Sequence, residues 1–367
     1  MQNKLKSFWW RAALTAASLL GLAGLAEAAA GLDMLPHGHF PALLISVTRG
    51  REIMDRPGVT GYYERLLAKD SRMDRNYVYD KSFLVYWFKP HLTWEHDHVT
   101  TNGFGMVGPE TTLSKPPGVR RIALLGASIS AGHMVQADQT FGALLERRLN
   151  ADQPDGPSQR FEVLNFACIA YVLTQELDLA VERSVPFNPD VYLLDVNELA
   201  TYLSWDRHLI QVVQQGIDPK YDFLRETLRQ SGVSSGDDAL ILSAKLAPYR
   251  MTVLRDSFVK LKTELANRHT PLIAVLVPSV EEGELSRRRL EGVRDLLTSL
   301  DITVVDLLDT FDGILDTAPL AVYRGDVHPN ARGHRMLSEN LYTKLKAQPR
   351  AWAAITGHDS EGAAPAP

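Results

Sequence analysis

From Val119 onward, short apolar segments alternate with longer segments of helical spacing. The apolar segments lack alternation of polar and apolar residues, which predicts strands that are buried on both faces. Strands that alternate with helices in this way predict an α/β fold of three layers, a parallel sheet flanked by helices and joined by right-handed crossovers. The five predicted strands cover residues 121–125, 161–164, 190–194, 272–277 and 302–305.

The sequence divides into a central domain, which contains these strands and helices, an extension before it and a tail after it. The central domain is predicted to cover residues 119–348, with a long helical insertion at 199–268 that is a candidate lid. Before it lies an extension of mixed composition, which ends in the stiff segment Lys-Pro-Pro-Gly at 115–118. Residues 349–367 are predicted to be a disordered tail, because their last part is small, polar and proline-containing.

The first residues have the pattern of a secretory signal. Lys4, Lys6 and Arg11 precede an apolar run at 12–26, which small residues follow at 26–30. We therefore expect a signal peptide over residues 1–28, an extension over 29–118 and a periplasmic or secreted protein. The alternative is an uncleaved segment that anchors the protein in the membrane, for which the apolar run is short.

The charge balance excludes one class of partner. Lys and Arg number 39 against 44 Asp and Glu, giving a formal net charge of -5, and the charges are scattered along the chain. Nucleic acid binding requires a basic surface that displaces counterions from phosphates, so we expect no nucleic acid partner. The one cysteine, Cys168, cannot form an intrachain disulfide and is predicted to be a packing residue.

Polar residues follow the predicted strands where the chain leaves the sheet. In open parallel sheets, ligands bind at the carboxyl ends of the strands, so these residues are the candidates for a site. Three such segments are Gly-Ala-Ser at 126–128, Asn-Phe-Ala at 165–167 and Asp-Val-Asn-Glu at 195–198. A fourth, Gly-Asp-Val-His-Pro-Asn at 325–330, stands far downstream, followed by Gly-His at 333–334 at the start of the last predicted helix.

Three of these residues can perform nucleophilic catalysis together. Ser128 needs a base to accept its proton, and the ordinary pKa of histidine makes His328 suitable. Asp326 precedes His328 by two positions, and in an extended segment such residues face the same side. Its carboxylate can therefore orient the imidazole. Each segment alone is also compatible with an ordinary turn or a helix cap.

Taken in order, these segments resemble the serine, glycine, asparagine and histidine blocks of the SGNH (GDSL-like) hydrolase family, in particular its exported bacterial members. The resemblance runs from about Val119 to Leu345. It implies an SGNH-type fold with Ser128, Asp326 and His328 as catalytic residues. The oxyanion donors are then expected to be the backbone N–H groups of Ser128 and Ala167 and the side-chain amide of Asn197.

The chain departs from the family pattern at several positions. Ala127 stands where the family has aspartate, and Ala167 and Ala170 stand where it has glycine. The acid also precedes the histidine by two residues, whereas three is the usual spacing. A methyl group at Ala167 predicts a tighter oxyanion pocket.

The predicted function is an exported serine esterase that hydrolyses carboxylic esters, including O-acetyl esters, through an acyl-enzyme. Neither a metal nor an organic cofactor is required. The expected substrate is a small-molecule or carbohydrate ester, and the family resemblance suggests an acetyl group on a carbohydrate or on a cell-envelope polymer. Two alternatives remain open: an O-acyltransferase acting on an envelope polysaccharide, and a non-catalytic SGNH-fold binding protein.

Two polar clusters are given structural interpretations. His91, His96 and His98 surround Asp97 without the carboxylate spacing of a metal site, so this segment is predicted to be a solvated loop. The arginines at 287–289 are predicted to form a solvated helix face.

Overall fold

The computed structural model describes residues 75–152, 159–280 and 284–357. The predicted signal peptide lies outside these residues. Two antiparallel hairpins come first in the described chain: β1 (Tyr77–Tyr79) with β2 (Tyr86–Phe88), and β3 (Thr93–Trp94) with β4 (Val99–Thr100).

The centre of the structure is a five-stranded parallel sheet. Its strands are β5 (Val119–Leu125), β6 (Arg160–Asn165), β7 (Val191–Val196), β8 (Leu272–Leu276) and β9 (Thr303–Asp306). Their spatial order is β6-β5-β7-β8-β9, and every pair is parallel. The chain reverses its direction of winding at β5, so the carboxyl ends of β5 and β7 form the switch point where such sheets bind ligands.

Helices cover both faces of this sheet, which confirms the predicted fold class. They are α1 (Ser128–Ala131), α2 (Phe141–Ala151), α3 (Leu173–Asp178), α4 (Arg207–Gln215), α5 (Asp222–Ser231), α6 (Ala239–Leu246), α7 (Arg250–Ala266), α8 (Glu284–Ser299), α9 (Ala331–Ala347) and α10 (Pro349–Thr356). Five-residue π-helical turns continue α3 and follow β7, at Leu179–Arg183 and Leu199–Leu203. Single 3-10 turns lie at Ala137–Gln139, Val185–Phe187, Ala247–Tyr249 and Ala318–Leu320.

The sheet separates two apolar cores. On β5, Ala123 and Leu125 face one core while Ile122 and Leu124 face the other. Successive side chains of a strand point to opposite faces, so a strand with a core on each side must be apolar throughout. Helices α2, α9 and α10 pack on one face, whereas α3 to α8 contribute to the other core.

The residues before β5 pack into the same structure. The hairpins bury Tyr77, Tyr86 and Phe88 in the core that faces α3 to α8. Arg121, on β5, is fully buried, and its guanidinium donates to the carbonyl oxygens of Leu113 and Phe187. Because a buried guanidinium needs an acceptor for each donor, this side chain joins the segment before β5 to the sheet.

The prediction of disorder from residue 349 is wrong for its first part, because residues 349–356 form α10. Pro349 begins the helix, where its missing N–H costs nothing, and Ala351 and Ile355 lie buried one turn apart. Gly357 ends the helix with φ 73°. Residues 358–367 lie outside the described chain. Among the described helices, none has the length and apolarity that a bilayer crossing requires.

Candidate active site

Ser128 lies at the switch point of the sheet. It is the first residue of α1, directly after β5, and is 8% exposed. The preceding Gly126 permits this sharp turn: a Cβ atom there would lie 2.6 Å from Oγ of Ser130 and 2.8 Å from Cβ of Asp195. Since real Cβ atoms do not approach other atoms so closely, glycine is required for close packing beneath Ser128.

The structure brings the predicted serine, histidine and aspartate together. Nε2 of His328 lies 2.7 Å from Oγ of Ser128, and Nδ1 lies 2.6 Å from Oδ1 of Asp326. An ionised carboxylate only accepts hydrogen bonds, so Nδ1 carries the proton and Nε2 is left to accept from the serine hydroxyl. This is the tautomer that a general base requires.

A turn, and not an extended strand, creates the contact between Asp326 and His328. Oδ1 of Asp326 also accepts the backbone N–H of His328 at 2.7 Å, which folds the side chain back over the next two residues. The prediction of an extended segment at 326–328 is therefore wrong, although the two-residue spacing still permits the contact.

Asn330 caps α9 by accepting from the backbone N–H groups of Arg332 and Gly333.

Asp326 is held in its charged form. Burial by itself would raise its pKa, but the hydrogen bonds and positive charge of His328, with a hydrogen bond from Tyr323, bring the pKa down to about 2. The carboxylate is thus ionised under all ordinary conditions. It can stabilise the imidazolium that forms when His328 accepts a proton.

Asn197 follows β7 and is buried beside the serine turn. Its Nδ2 donates to Oδ1 of Asp195 at 3.1 Å, and its Oδ1 accepts the N–H of Ala200 at 3.0 Å. An amide nitrogen carries two hydrogens, so one remains beyond the bond to Asp195. The backbone N–H of Ser128 lies in the first turn of α1, where amides have no acceptor within the helix.

The third predicted oxyanion donor already has an acceptor. The N–H of Ala167 donates to Oδ1 of Asn165 at 3.1 Å, while Nδ2 of Asn165 donates to the carbonyl of Ser130 at 2.7 Å. Ala167 therefore serves a substrate oxygen only if it shares or releases this bond. The sequence did not predict the bond between Ala167 and Asn165, because the side chain that accepts a given backbone N–H depends on the tertiary structure.

Ala170 takes the backbone conformation of a glycine. Its φ is +65°, in the left-handed region that costs a residue with a Cβ about 1–2 kcal/mol. Its carbonyl accepts from Nη1 of Arg207 at 2.7 Å in the buried interior. This bond joins the loop after the second polar segment to the helical insertion.

The prediction of a solvated loop at 95–98 is wrong for Asp97, because this side chain is buried. Its Oδ1 accepts from Nδ1 of His96 at 2.6 Å, and its Oδ2 lies 3.7 Å from Nδ1 of His133. His91, His96 and His98 are exposed, in agreement with the expectation. No group of residues in the described ranges has the composition of a metal site.

His133 connects this loop to the proposed base. Its ring packs edge-on against His328, with 4.8 Å between the ring centroids. Burial and the charge of His328 lower the pKa of His133 to about 3, so it is neutral at ordinary pH. Sequence reasoning missed both Asp97 and His133. The position of His133, shortly after the serine helix, was the available signal.

The arginines at 287–289 are only partly solvated. Arg289 is largely buried, and its Nη1 donates to Oε1 of Glu198 at 2.9 Å. Its guanidinium also lies over the ring of Tyr202, 3.8 Å from the centroid. The expectation of a solvated helix face is wrong for this residue, because Glu198 reaches α8 from the segment after β7.

Cys168 is buried, which raises the pKa of its thiol.

A cavity of about 740 Å³ lies at the opposite end of the sheet, away from Ser128. Its basic side chains already have partners: Arg120 donates to the carbonyls of Ala354 and Ile355, and Arg268 to that of Val181. These two side chains therefore join neighbouring segments of the fold.

Comparison with known proteins found no matching family model and no matching curated protein. Solved structures overlap with 62% of the chain at low similarity. TesA is 14% identical with a TM-score of 0.40, and 99% of that chain is covered. Axe2, an acetylxylan esterase from Geobacillus stearothermophilus, is 13% identical with a TM-score of 0.39 and 94% coverage of that chain. The esterase EstA from Pseudoalteromonas sp. is 12% identical with a TM-score of 0.40 and 97% coverage.

Proposed function

We propose that this protein is a serine esterase that hydrolyses carboxylic esters through an acyl-enzyme. The observation that carries the proposal is the continuous line of hydrogen bonds from Asp326 through His328 to Ser128, with both bonds at 2.6–2.7 Å. A serine hydroxyl is a poor nucleophile without such a base, and a histidine is a poorly oriented base without such a carboxylate.

The proposed reaction has two halves. Oγ of Ser128 attacks the ester carbonyl while its proton passes to Nε2 of His328. As the tetrahedral intermediate collapses, the imidazolium returns that proton to the leaving alcohol. Water then attacks the acyl-enzyme, with His328 accepting its proton and returning it to Ser128 as the acid departs.

The proposed oxyanion donors are the backbone N–H of Ser128 and Nδ2 of Asn197. Removing one such donor typically costs about 3–4 kcal/mol of transition-state stabilisation. Ala167 joins them if Asn165 releases its N–H. The predicted tightness of this pocket, together with the 8% exposure of Ser128, favours a small acyl group such as acetyl.

The alcohol portion is proposed to be a carbohydrate, and the protein is proposed to act outside the cytoplasm. These two parts rest on the family resemblance and on the signal-like residues at 1–28. N-terminal sequencing of the protein recovered from the periplasmic fraction of an expressing bacterium tests the second part. A first residue at position 29 is expected, with position 31 as the alternative cleavage point after Ala30, and an intact residue 1 contradicts cleavage.

Hydrolysis of p-nitrophenyl acetate by the purified protein tests the reaction. Ser128→Ala is expected to lower kcat by a factor of about 10⁴ or more and to abolish labelling by a fluorophosphonate probe. Because surface imidazoles hydrolyse this substrate slowly, His269→Ala, which removes an exposed histidine, is the control and leaves kcat unchanged. Equal rates for the native protein and Ser128→Ala would favour the non-catalytic binding protein.

A further inference from the structure

A buried aspartate lies behind the two proposed oxyanion donors. Asp195 is the fifth residue of β7 and is 1% exposed, in a strand whose other residues are apolar or aromatic. Oδ2 of Asp195 accepts the hydroxyl of Ser130 at 2.8 Å, and Oδ1 accepts Nδ2 of Asn197 at 3.1 Å. Backbone amides of Ala127 and Ser130 also bond to this carboxylate.

These bonds determine which way the carboxamide of Asn197 faces. A carboxylate oxygen only accepts, so the atom of Asn197 that faces Asp195 must be the nitrogen. At the other end, Oδ1 of Asn197 accepts the N–H of Ala200. A flipped carboxamide would place oxygen against oxygen at Asp195 and nitrogen against N–H at Ala200. Both ends therefore select the same orientation, which leaves the second Nδ2 hydrogen as a donor.

The carboxylate also ties this donor to the serine. Ser130 lies on α1, one turn or less from Ser128, and Gly126 allows Asp195 to approach this turn closely. Asp195 thus holds the serine turn on one side and the Asn197 carboxamide on the other. Because the two oxyanion donors come from separate strands, a bridge of this kind sets the distance between them.

The charge state of Asp195 is compatible with this role. Burial raises its pKa to about 6, although hydrogen bonds from Asn197 and Ser130 oppose that rise. The neighbouring carboxyl of Glu176, on α3, is fully buried, and its Oε1 has no hydrogen-bond partner in the structure. Burial and the charge of Asp195 raise the pKa of Glu176 well above its ordinary value. A pKa of about 6 leaves Asp195 mainly ionised near pH 7, and burial favours the neutral form of Glu176.

We propose that Asp195 is a positioning residue that orients the Asn197 carboxamide as an oxyanion donor and holds it in register with Ser128. This inference deepens the proposed esterase function and depends on it. Its specific content is that Asp195 acts through Asn197, so the two residues should not contribute independently to catalysis.

A double-mutant cycle tests this content. Four groups donate to the Asp195 carboxylate: the Ser130 hydroxyl, Nδ2 of Asn197 and the backbone N–H groups of Ala127 and Ser130. Asp195→Asn keeps the shape of the side chain but replaces one acceptor oxygen with an NH₂ group, whose hydrogens must then face some of these donors. We expect kcat for p-nitrophenyl acetate to fall about 10- to 100-fold in Asp195→Asn and about 10²- to 10³-fold in Asn197→Ala, with KM changed less than about threefold. The double variant should match Asn197→Ala within about threefold.

Asp190→Asn is the matched control. Asp190 directly precedes β7, at the opposite end of the strand from Asp195, and bonds to Lys115 and to the N–H of Arg121. Its substitution should lower the unfolding temperature without changing kcat. Circular dichroism verifies that each variant is folded, and Asp195→Ser replaces Asp195→Asn if the latter does not fold.

The outcomes separate this inference from the esterase proposal. If the unmodified protein neither hydrolyses the ester nor reacts at Ser128 with a fluorophosphonate, the esterase function itself fails. If the unmodified protein reacts, two results overturn the positioning role: a kcat in the folded Asp195 variant within twofold of the native value, or effects of the two substitutions that multiply in the double variant.

Discussion

Oγ of Ser128 and Nε2 of His328 lie 2.7 Å apart, although 200 positions separate the two residues in the chain. Ser128 follows β5, an interior strand of the sheet, whereas His328 lies in the loop before α9. Their contact depends on the packing of the whole parallel sheet. It brings a hydroxyl and an imidazole into the hydrogen bond on which the proposed mechanism depends.

Replacement of the base should nearly abolish hydrolysis. We expect His328→Gln to lower kcat by a factor of about 10⁴ or more, because glutamine cannot accept and return a proton at neutral pH. Steady-state kinetics with p-nitrophenyl acetate provide the measurement, with His269→Gln as the exposed control. A His328→Gln variant with a tenth of native kcat would show that another group acts as the base.

Replacement of the acid tests the contribution of its charge. In Asp326→Asn the carbonyl oxygen can keep both bonds from His328, because the backbone N–H and Nδ1 donate to the same oxygen. This oxygen carries no full charge, so the imidazolium is less stabilised. We expect kcat to fall, but by less than the factor of about 10⁴ that the same change costs a serine protease triad, where the tautomer reverses. Nitrogen-15 chemical shifts of His328 should show the proton still on Nδ1, and a proton on Nε2 would contradict this account.

The close packing at Gly126 predicts sensitivity to a single methyl group. Gly126→Ala places Cβ within 2.8 Å of Asp195 and Ser130, so the serine turn must shift. We expect a loss of about 1–3 kcal/mol in unfolding free energy and a lower kcat. Gly292→Ala, in the interior of α8 with no atom near its Cβ, should instead stabilise by about 1 kcal/mol. Urea unfolding curves compare the two, and equal effects would refute the packing argument.

Two arginines that share Glu162 should differ in their contribution to stability. Arg121 is fully buried and bonds to Glu162 and to backbone carbonyls, while Arg160 reaches the same carboxylate with 67% of its side chain exposed. We expect Arg121→Met to cost about 3–5 kcal/mol and Arg160→Met less than about 1 kcal/mol. Chemical denaturation of both variants measures the difference. Similar costs would show that the buried bonds to the carbonyls contribute little.

Buried histidines should make the protein less stable in mild acid. Burial lowers the pKa of His133, His208 and His334 to about 3, against an ordinary value of 6.5. Between these values the unfolded chain binds protons that the folded protein does not, so each histidine favours unfolding as the pH falls below about 6.5.

His334→Asn isolates one of these contributions. Nδ1 of His334 accepts the N–H of Phe141 at 3.1 Å, and Oδ1 of asparagine, which lies at the same position along the side chain, can take over that bond. We expect the unfolding free energy of the variant to depend less on pH between 6.5 and 4, by up to about 1.4 kcal/mol per pH unit. Parallel curves for the variant and the native protein would mean that His334 is charged in the folded state.

The strands of the sheet and the order of its polar segments could be read from the sequence. A strand buried on both faces must be apolar along its length, as β7 is except for Asp195, so the pattern is local and visible. The carboxyl ends of parallel strands lie at one edge, which is why Ser128 and Asn197 could be grouped without coordinates. His328, in the loop before α9, was added from its residue type and from the order of the segments.

Only the tertiary structure decided the surroundings of single polar side chains. Asp97 and Arg289 belong to segments that read as solvated, yet each is buried because a distant segment folds against it. The partner of the Ala167 N–H and the bridging role of Asp195 are equally invisible in the sequence. A polar residue has the same local pattern whether it faces water or an acceptor brought from another strand, so its burial is a property of the assembled fold.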